Sequence, residues 1–382
     1  MIKTLFIFGT RPEAIKLCPV LLHQRDRPSE FQTRVCVTAQ HRQMLDQVLS
    51  VFGIEPNHDL NVMQPGQTLF QSTSRMIGAL EGVLTADRPD LVVVQGDTTT
   101  TLCGALAGFY LDIPVAHVEA GLRTFDMRQP FPEEMNRVLT TRLSTLNFAA
   151  TDWARDNLMA EGVDATRIFV TGNPGIDAVL YVRDGLESGR LPAPSGLALD
   201  PSKKLVLVTA HRRESFGEGF ERICCALAHL ASRKDVQIVY PVHPNPNVQE
   251  PVKKYLAGHA NVLLIEPLTY VPFVDLMRRA YILLTDSGGV QEEGPSLGKP
   301  ILVMREKTER PEAVIAGTVK LVGTDQDAIY SEASRLLDDH SEYERMGRIH
   351  NPYGDGHASE RIADGIAAYF AAGTLGRVGS SS

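Results

Sequence analysis

The chain is poor in cysteine and tryptophan, with five and one respectively, and it has no apolar run close to the roughly 20 residues of a membrane span. Each shortage excludes something. Without such a run no segment reads as a transmembrane helix. The opening MIKTLFIFGTRPE is broken at once by Arg11 and Glu13 and has no small-residue cleavage site after it, so it reads as a first strand and not as a signal peptide. Cys18, Cys36, Cys103, Cys224 and Cys225 are odd in number, lie in apolar sequence and show no CxxC spacing. That argues against a disulfide scaffold or thiolate metal site and points to reduced residues of a cytoplasmic protein. No basic run exists and the net charge is -8, so composition offers nothing to a nucleic acid. No GxGxxG follows a strand, and GPSLGKP, the nearest approach to a P-loop, lacks Ser or Thr after its lysine. HExxH and the acidic calcium loop are missing too. No cofactor and no metal are expected.

What is present is a long alternation of short apolar strands with helical periods, the pattern of βαβ units. Strands are predicted at 3–8, 33–38, 91–95, 115–118, 146–149 and 168–170, then at 205–209, 237–241, 262–265, 282–285, 301–304 and 319–321. Helical spacing fills 42–52 and 68–86. A Pro/Gly/Ser-rich loop, SGRLPAPSGLALDPSKK, lies between the two series. At 382 residues there is length for two cores. The expected fold is α/β, with two Rossmann-like domains facing across a cleft. Residues 1–172 form the first, with a last helix near 359–372 returning to it, and 173–358 form the second.

Three acids stand at strand ends or helix starts. Asp97 follows LVVVQGD, Glu119 follows IPVAHVEAG, and Glu133 lies in QPFPEEMNR, where a proline opens a helix. Open α/β sheets place their ligands at such ends. With Arg123 and Arg137 nearby, the group outlines an acid/base site, although each acid alone also suits a helix cap or dipole. FGTRPEAIK puts Arg11 and Lys16 after the first strand as anion contacts. In DSGGVQEEG, Asp286 or Ser287 is expected to cap a helix while Gly288 and Gly289 admit a phosphate to the backbone. Arg310 in the following TERPEA would reach the same rim, and a guanidinium fork suits a diphosphate. His211 in TAHRRESFG, and with less support His243 in YPVHPNPNV, fall at further strand ends.

These motifs, with TAQHRQMLDQ, GDTTTT, HVEAGLRT and NPYGDG, run nearly end to end in an order that resembles the bacterial non-hydrolysing UDP-N-acetylglucosamine 2-epimerases. The resemblance implies a glycosyltransferase-B-like fold, a homodimer, and interconversion of UDP-GlcNAc and UDP-ManNAc that supplies precursors of cell-surface polysaccharide. It also implies catalytic roles for Asp97, Glu119, Glu133 and His211. Arg11, Lys16, Leu268, Phe273, Ser287, Gly288, Gly289, Glu293 and Arg310 match substrate contacts. Gln40, Gln43, Gln67 and His243 match a second, regulatory UDP-GlcNAc site. Two positions depart from the pattern: Leu268 replaces a glutamine, and Gly66 replaces an arginine of the regulatory site in some members.

The proton on C2 of the sugar is not acidic, since no carbonyl adjoins it. Oxidation at C3 would need a dinucleotide whose fingerprint the chain lacks. The family's route instead expels UDP to give 2-acetamidoglucal, then adds UDP back. A hydrolysing epimerase, a glycosyltransferase of the same fold and a non-catalytic nucleotide-sugar sensor are the alternatives. The E-x7-E spacing of retaining transferases is absent, because Pro300 lies eight residues after Glu292.

Overall fold

The computed structural model describes residues 1–38, 42–62, 64 and 66–378, with side chains through residue 373. The chain separates into two compact units, residues 1–178 with 353–382, and residues 179–352.

The first unit alternates β1 (Ile2–Phe8), α1 (Arg11–Arg25), β2 (Phe31–Val37), α2 (Arg42–Val51), β3 (His58–Asp59), α3 (Leu69–Asp87), β4 (Leu91–Gln95), α4 (Thr99–Tyr110), β5 (Val115–Ala120), α5 (Glu133–Leu143), β6 (Leu146–Ala149), α6 (Asp152–Ala160) and β7 (Ile168–Val170). Helix α7 (Pro174–Glu187) carries the chain from this unit into the next. The strands form one parallel sheet in the order β3-β2-β1-β4-β5-β6-β7. Helices cover both faces, so a central strand such as Leu91–Gln95 is buried throughout and reads as an unbroken apolar run. Leu5, Ile7, Val92 and Val94 from the strands meet Met76, Leu80 and Leu84 from α3 in one core. Leu→Ala within it should cost about 2–5 kcal/mol.

The second unit contains β8 (Lys204–Thr209), α8 (Glu218–Ala231), β9 (Val236–Pro241), α9 (Pro246–Leu256), β10 (Val262–Ile265), α10 (Tyr270–Arg279), β11 (Ile282–Thr285), α11 (Gly288–Glu293), β12 (Ile301–Val303), α12 (Pro311–Ala316), β13 (Val319–Leu321), α13 (Gln326–Asp338) and α14 (His340–Gly347). Its parallel sheet runs β10-β9-β8-β11-β12-β13. The core joins Val206, Val208 and Tyr240 of the sheet to Phe220, Ile223 and Leu227 of α8. Helix α15 (Ala358–Val378) then returns to the first unit and packs on α1.

Both units are therefore doubly wound Rossmann-like sheets. Strand order reverses between β1 and β4 in one and between β8 and β11 in the other, and ligand crevices of open α/β sheets form at the carboxyl ends beside such switch points. Strand β3 was not expected: it is two polar residues, His58 and Asp59, with no apolar run to announce it. Cys18, Cys36, Cys103 and Cys224 are free and buried, while the free Cys225 is partly exposed. Among the described residues, no helix is long and apolar enough to cross a membrane, and no three His, Cys, Asp or Glu are grouped to hold a metal ion.

Candidate active site

In the first unit, the turn after β1 and the turn after β4 lie side by side. Gly9 is there because the approach is close: a Cβ would stand 2.0 Å from Thr38 Oγ1 and 2.8 Å from Thr100 Oγ1. Pro12 suits the start of α1, where its missing N–H loses no hydrogen bond. The Glu13 carboxylate accepts the backbone N–H of Gly9 (3.1 Å) and Thr10 (2.7 Å) and the Thr98 hydroxyl (2.7 Å). Burial pushes its pKa up, against the pull of those donors. Thr98, not Asp97, caps α4, accepting the Thr101 N–H at 3.1 Å. Arg11 is left half-buried beside this turn, with no ionic partner among the described residues.

Glu119 is the centre of the group. It sits at φ +61°, in the left-handed region, where β5 and β6 lose register between Val118 and Ala120. A non-glycine residue there carries strain on the order of 1 kcal/mol. Its carboxylate meets Lys16 Nζ at 2.5 and 2.6 Å, and it accepts from Asn173 Nδ2 at 3.2 Å and from the Gln95 amide. The bulge thus turns the side chain onto donors from β4, α1 and the segment before α7.

Asp97 accepts from the Arg137 guanidinium, and its carbonyl accepts from Asn136 Nδ2 at 2.9 Å. Both partners come from the first turns of α5, whose first residue is Glu133. Glu133 is half-buried and its carboxylate has no hydrogen-bond partner among the described residues. Its neighbour Glu134 is the structural acid: it is 1% exposed, lies 3.3 Å from Arg137 Nη1, and accepts the N–H of Thr124 (3.1 Å) and Phe125 (3.0 Å). His117 on β5 approaches the carbonyl of Gly96 at 2.7 Å. Burial drops its pKa to about 4, with Arg123 and Arg137 adding to the depression, so it is neutral and donates Nε2–H there.

Arg123 requires a correction. It does not join the acids; it is buried against Glu161 (2.7 and 3.0 Å) and Thr141 (3.0 Å), a structural tie between the loop after β5 and the end of α6. Its partner lies 38 residues away, beyond what local sequence could indicate.

In the second unit, His211 follows β8 and Asp286 follows β11. The Asp286 carboxylate accepts the N–H of His211 (2.6 Å) and Arg212 (2.7 Å), with its other oxygen 3.5 Å from His211 Nδ1. Asp286 therefore does not cap α11, and Ser287, in the cap position, makes no side-chain cap bond either. His243, after β9, stacks on His211 with centroids 5.4 Å apart and planes 9° apart. Gly288 is buried under Arg310, whose guanidinium carbon would stand 3.4 Å from a Cβ there. Arg310 is held by Glu292 at 2.5 Å, an acid that motif reading passed over for Glu293. Glu293 lies near Gly289 and Ser287, its Oε1 3.7 Å from a Gly289 Cβ. Leu268 follows edge strand β10, the neighbour of β9 in the sheet, and Phe273 lies on α10.

Of the regulatory residues, Gln40 lies outside the described residues. Gln43 is exposed on α2, and Gln67 precedes α3 and accepts from Arg75 at 3.0 Å. Both belong to the first unit, and His243 belongs to the second.

Two Rossmann-like units, one carrying carboxylates and the other a histidine and an arginine at or just beyond the carboxyl ends of the strands, define a glycosyltransferase-B-like α/β protein. A family model described as UDP-N-acetylglucosamine 2-epimerase matches residues 23–367, and the chain belongs to that family of isomerases. The UDP-N-acetylglucosamine 2-epimerase of Escherichia coli K12 is 57% identical over 370 residues, covering 95% of this chain and 98% of its own. That of Campylobacter jejuni is 50% identical over 368 residues, covering 94% and 96%. The crystal structure of UDP-GlcNAc 2-epimerase from Neisseria meningitidis bound to UDP-GlcNAc is similar with a TM-score of 0.85 at 46% identity, covering 96% and 99%.

Proposed function

We propose that this protein interconverts UDP-GlcNAc and UDP-ManNAc without hydrolysis. The observation that carries the reading is Glu119, a carboxylate held in left-handed backbone against Lys16 beside a second acid, Asp97. A carboxylate removes the C2 proton as the C1–O bond breaks. The C2–H electrons become the C1=C2 double bond of 2-acetamidoglucal, and the C1–O electrons leave with UDP. Re-addition of UDP at C1 and of a proton on the opposite face of C2 gives the epimer. Asp97, Glu119 and Glu133 divide the proton transfers and stabilise the cationic character at C1. Lys16 and Arg137 pair with two of the acids, Glu119 and Asp97. His211 and Arg310 neutralise the departing diphosphate, with Arg11 a further anion contact.

The remaining substrate contacts are assigned to Leu268, Phe273, Ser287, Gly288, Gly289 and Glu293, and the regulatory ligand to Gln40, Gln43, Gln67 and His243. The first unit, residues 1–178 with 353–382, carries the proton chemistry, and 179–352 the nucleotide. Family membership supports a cytoplasmic homodimer that feeds ManNAc-derived precursors to cell-surface polysaccharide. Exposed Phe70 (88%) on α3 and Tyr110 (67%) on α4 offer apolar area for such a contact.

Incubation with UDP-GlcNAc in D2O, followed by NMR, tests the reaction. UDP-ManNAc bearing deuterium at C2 is expected. Free ManNAc would indicate hydrolysis, and no conversion at any UDP-GlcNAc concentration would remove the epimerase assignment.

A further inference from the structure

The His211–Asp286 pair has a feature that backbone support alone does not explain. Asp286 is 1% exposed, and one of its oxygens satisfies the N–H groups of His211 and Arg212. An asparagine oxygen would accept those two bonds equally well, without the penalty of a buried charge. The second oxygen makes no hydrogen bond, and the group it faces, at 3.5 Å, is His211 Nδ1. The segment is fixed from the other side as well, because the Tyr240 hydroxyl donates to the Ala210 carbonyl at 2.6 Å. The backbone of His211 is therefore fixed, and one ring nitrogen is left facing the free carboxylate oxygen.

We propose that Asp286 is a positioning residue: it holds His211 in the Nδ1–H tautomer, turns Nε2 outward, and stabilises the imidazolium that meets the departing phosphate. This rests on the role given to His211 above. A carboxylate behind a histidine is the usual means of fixing ring orientation and stabilising its protonated form. His243 stacks on the ring without taking the same carboxylate. Its Nδ1 accepts the Asn245 N–H at 3.1 Å. The charged or titratable groups that act on His211 are Asp286, His243 and Arg212. Burial holds the imidazole below its ordinary pKa, Asp286 raises it, and His243 and Arg212 lower it. Asp286 is the one member of this set that favours the cation.

The wild-type protein gives the first test. Nitrogen-15 NMR of the His211 ring, assigned with His211→Asn, should show the Nδ1–H tautomer above its pKa; an Nε2–H tautomer overturns the proposal. Asp286→Asn then keeps the backbone acceptor and removes the charge. The His211 pKa is expected to fall by about one unit. With UDP-GlcNAc, kcat should drop about tenfold or more while KM changes less than about threefold. The alkaline limb of the kcat profile should move to lower pH. An unchanged His211 pKa sinks the pairing even if activity is lost. The NMR readouts do not depend on turnover, so a failure of the epimerase reading would appear separately, as an inactive wild type with an intact His211–Asp286 pair.

Discussion

Glu13 accepts the Thr98 hydroxyl at 2.7 Å, and this bond ties the turn that ends β1 to the turn that ends β4. The first turn carries Arg11 and leads to Lys16; the second carries Asp97. Glu13→Ala would leave the Gly9 and Thr10 amides and the Thr98 hydroxyl without their acceptor in a buried setting. Each such orphan costs about 1–3 kcal/mol, so a loss of about 3 kcal/mol or more is expected in urea denaturation. A change below about 1 kcal/mol would show that the two turns are held together by other contacts.

The buried histidine gives a pH dependence of defined sign. His117 has its pKa lowered from 6.5 to about 4, chiefly by burial. Below 6.5 the unfolded chain takes up a proton that the folded chain excludes, so stability falls as pH drops from about 6.5 to about 4. The slope fades above 6.5 and is nearly gone by about pH 7.5. Between pH 7.5 and pH 5 its share amounts to a loss on the order of 2 kcal/mol. His117→Asn, whose amide can still donate to the Gly96 carbonyl, should lose that share of the slope. Equal slopes for both proteins in urea titrations at the two pH values would contradict it.

The sheets were legible because parallel strands covered on both faces must be apolar throughout, as in LVVVQ and ILLT. Strand ends then located Asp97, Glu119, His211 and Gly288 without further information. What escaped was side-chain pairing over distance. Arg123 looked like a neighbour of the acids but belongs to Glu161. Asp286 reads locally as a helix cap, yet it serves the strand beside its own. Glu13 and Thr10 were readable as a T-x-x-E capping box, but not the reach from Glu13 to Thr98. The left-handed backbone at Glu119 had no sequence sign, since such positions usually take glycine.

The two arginines of that region should respond differently to substitution. Arg123→Met removes the partner of Glu161 from a buried guanidinium site and should lower stability by about 3 kcal/mol, with kcat of the folded protein kept. Arg137→Met releases Asp97 and should reduce kcat about 10- to 100-fold. Denaturation and turnover measured on both variants decide the matter. A large kcat loss in Arg123→Met at full folding would return Arg123 to the site.

Glu119 combines strain with chemistry, and substitutions can separate the two. Glu119→Gln keeps an acceptor for Lys16 but cannot take a proton, so kcat should fall at least about 100-fold with stability changed by less than about 1 kcal/mol. Asp97→Asn and Glu133→Gln should likewise lose turnover far in excess of stability. Glu119→Gly and Glu119→Ala both remove the carboxylate and should be inactive. At φ +61°, however, glycine is relieved of a strain that alanine retains. Glu119→Gly should then be more stable than Glu119→Ala by about 1 kcal/mol, the reverse of the order in a regular strand. Thermal and urea denaturation of the pair measures this directly. An alanine variant as stable as the glycine variant would mean that the backbone at residue 119 is not held in the left-handed region, and that the aim of its carboxylate is set by Lys16 and Asn173 alone.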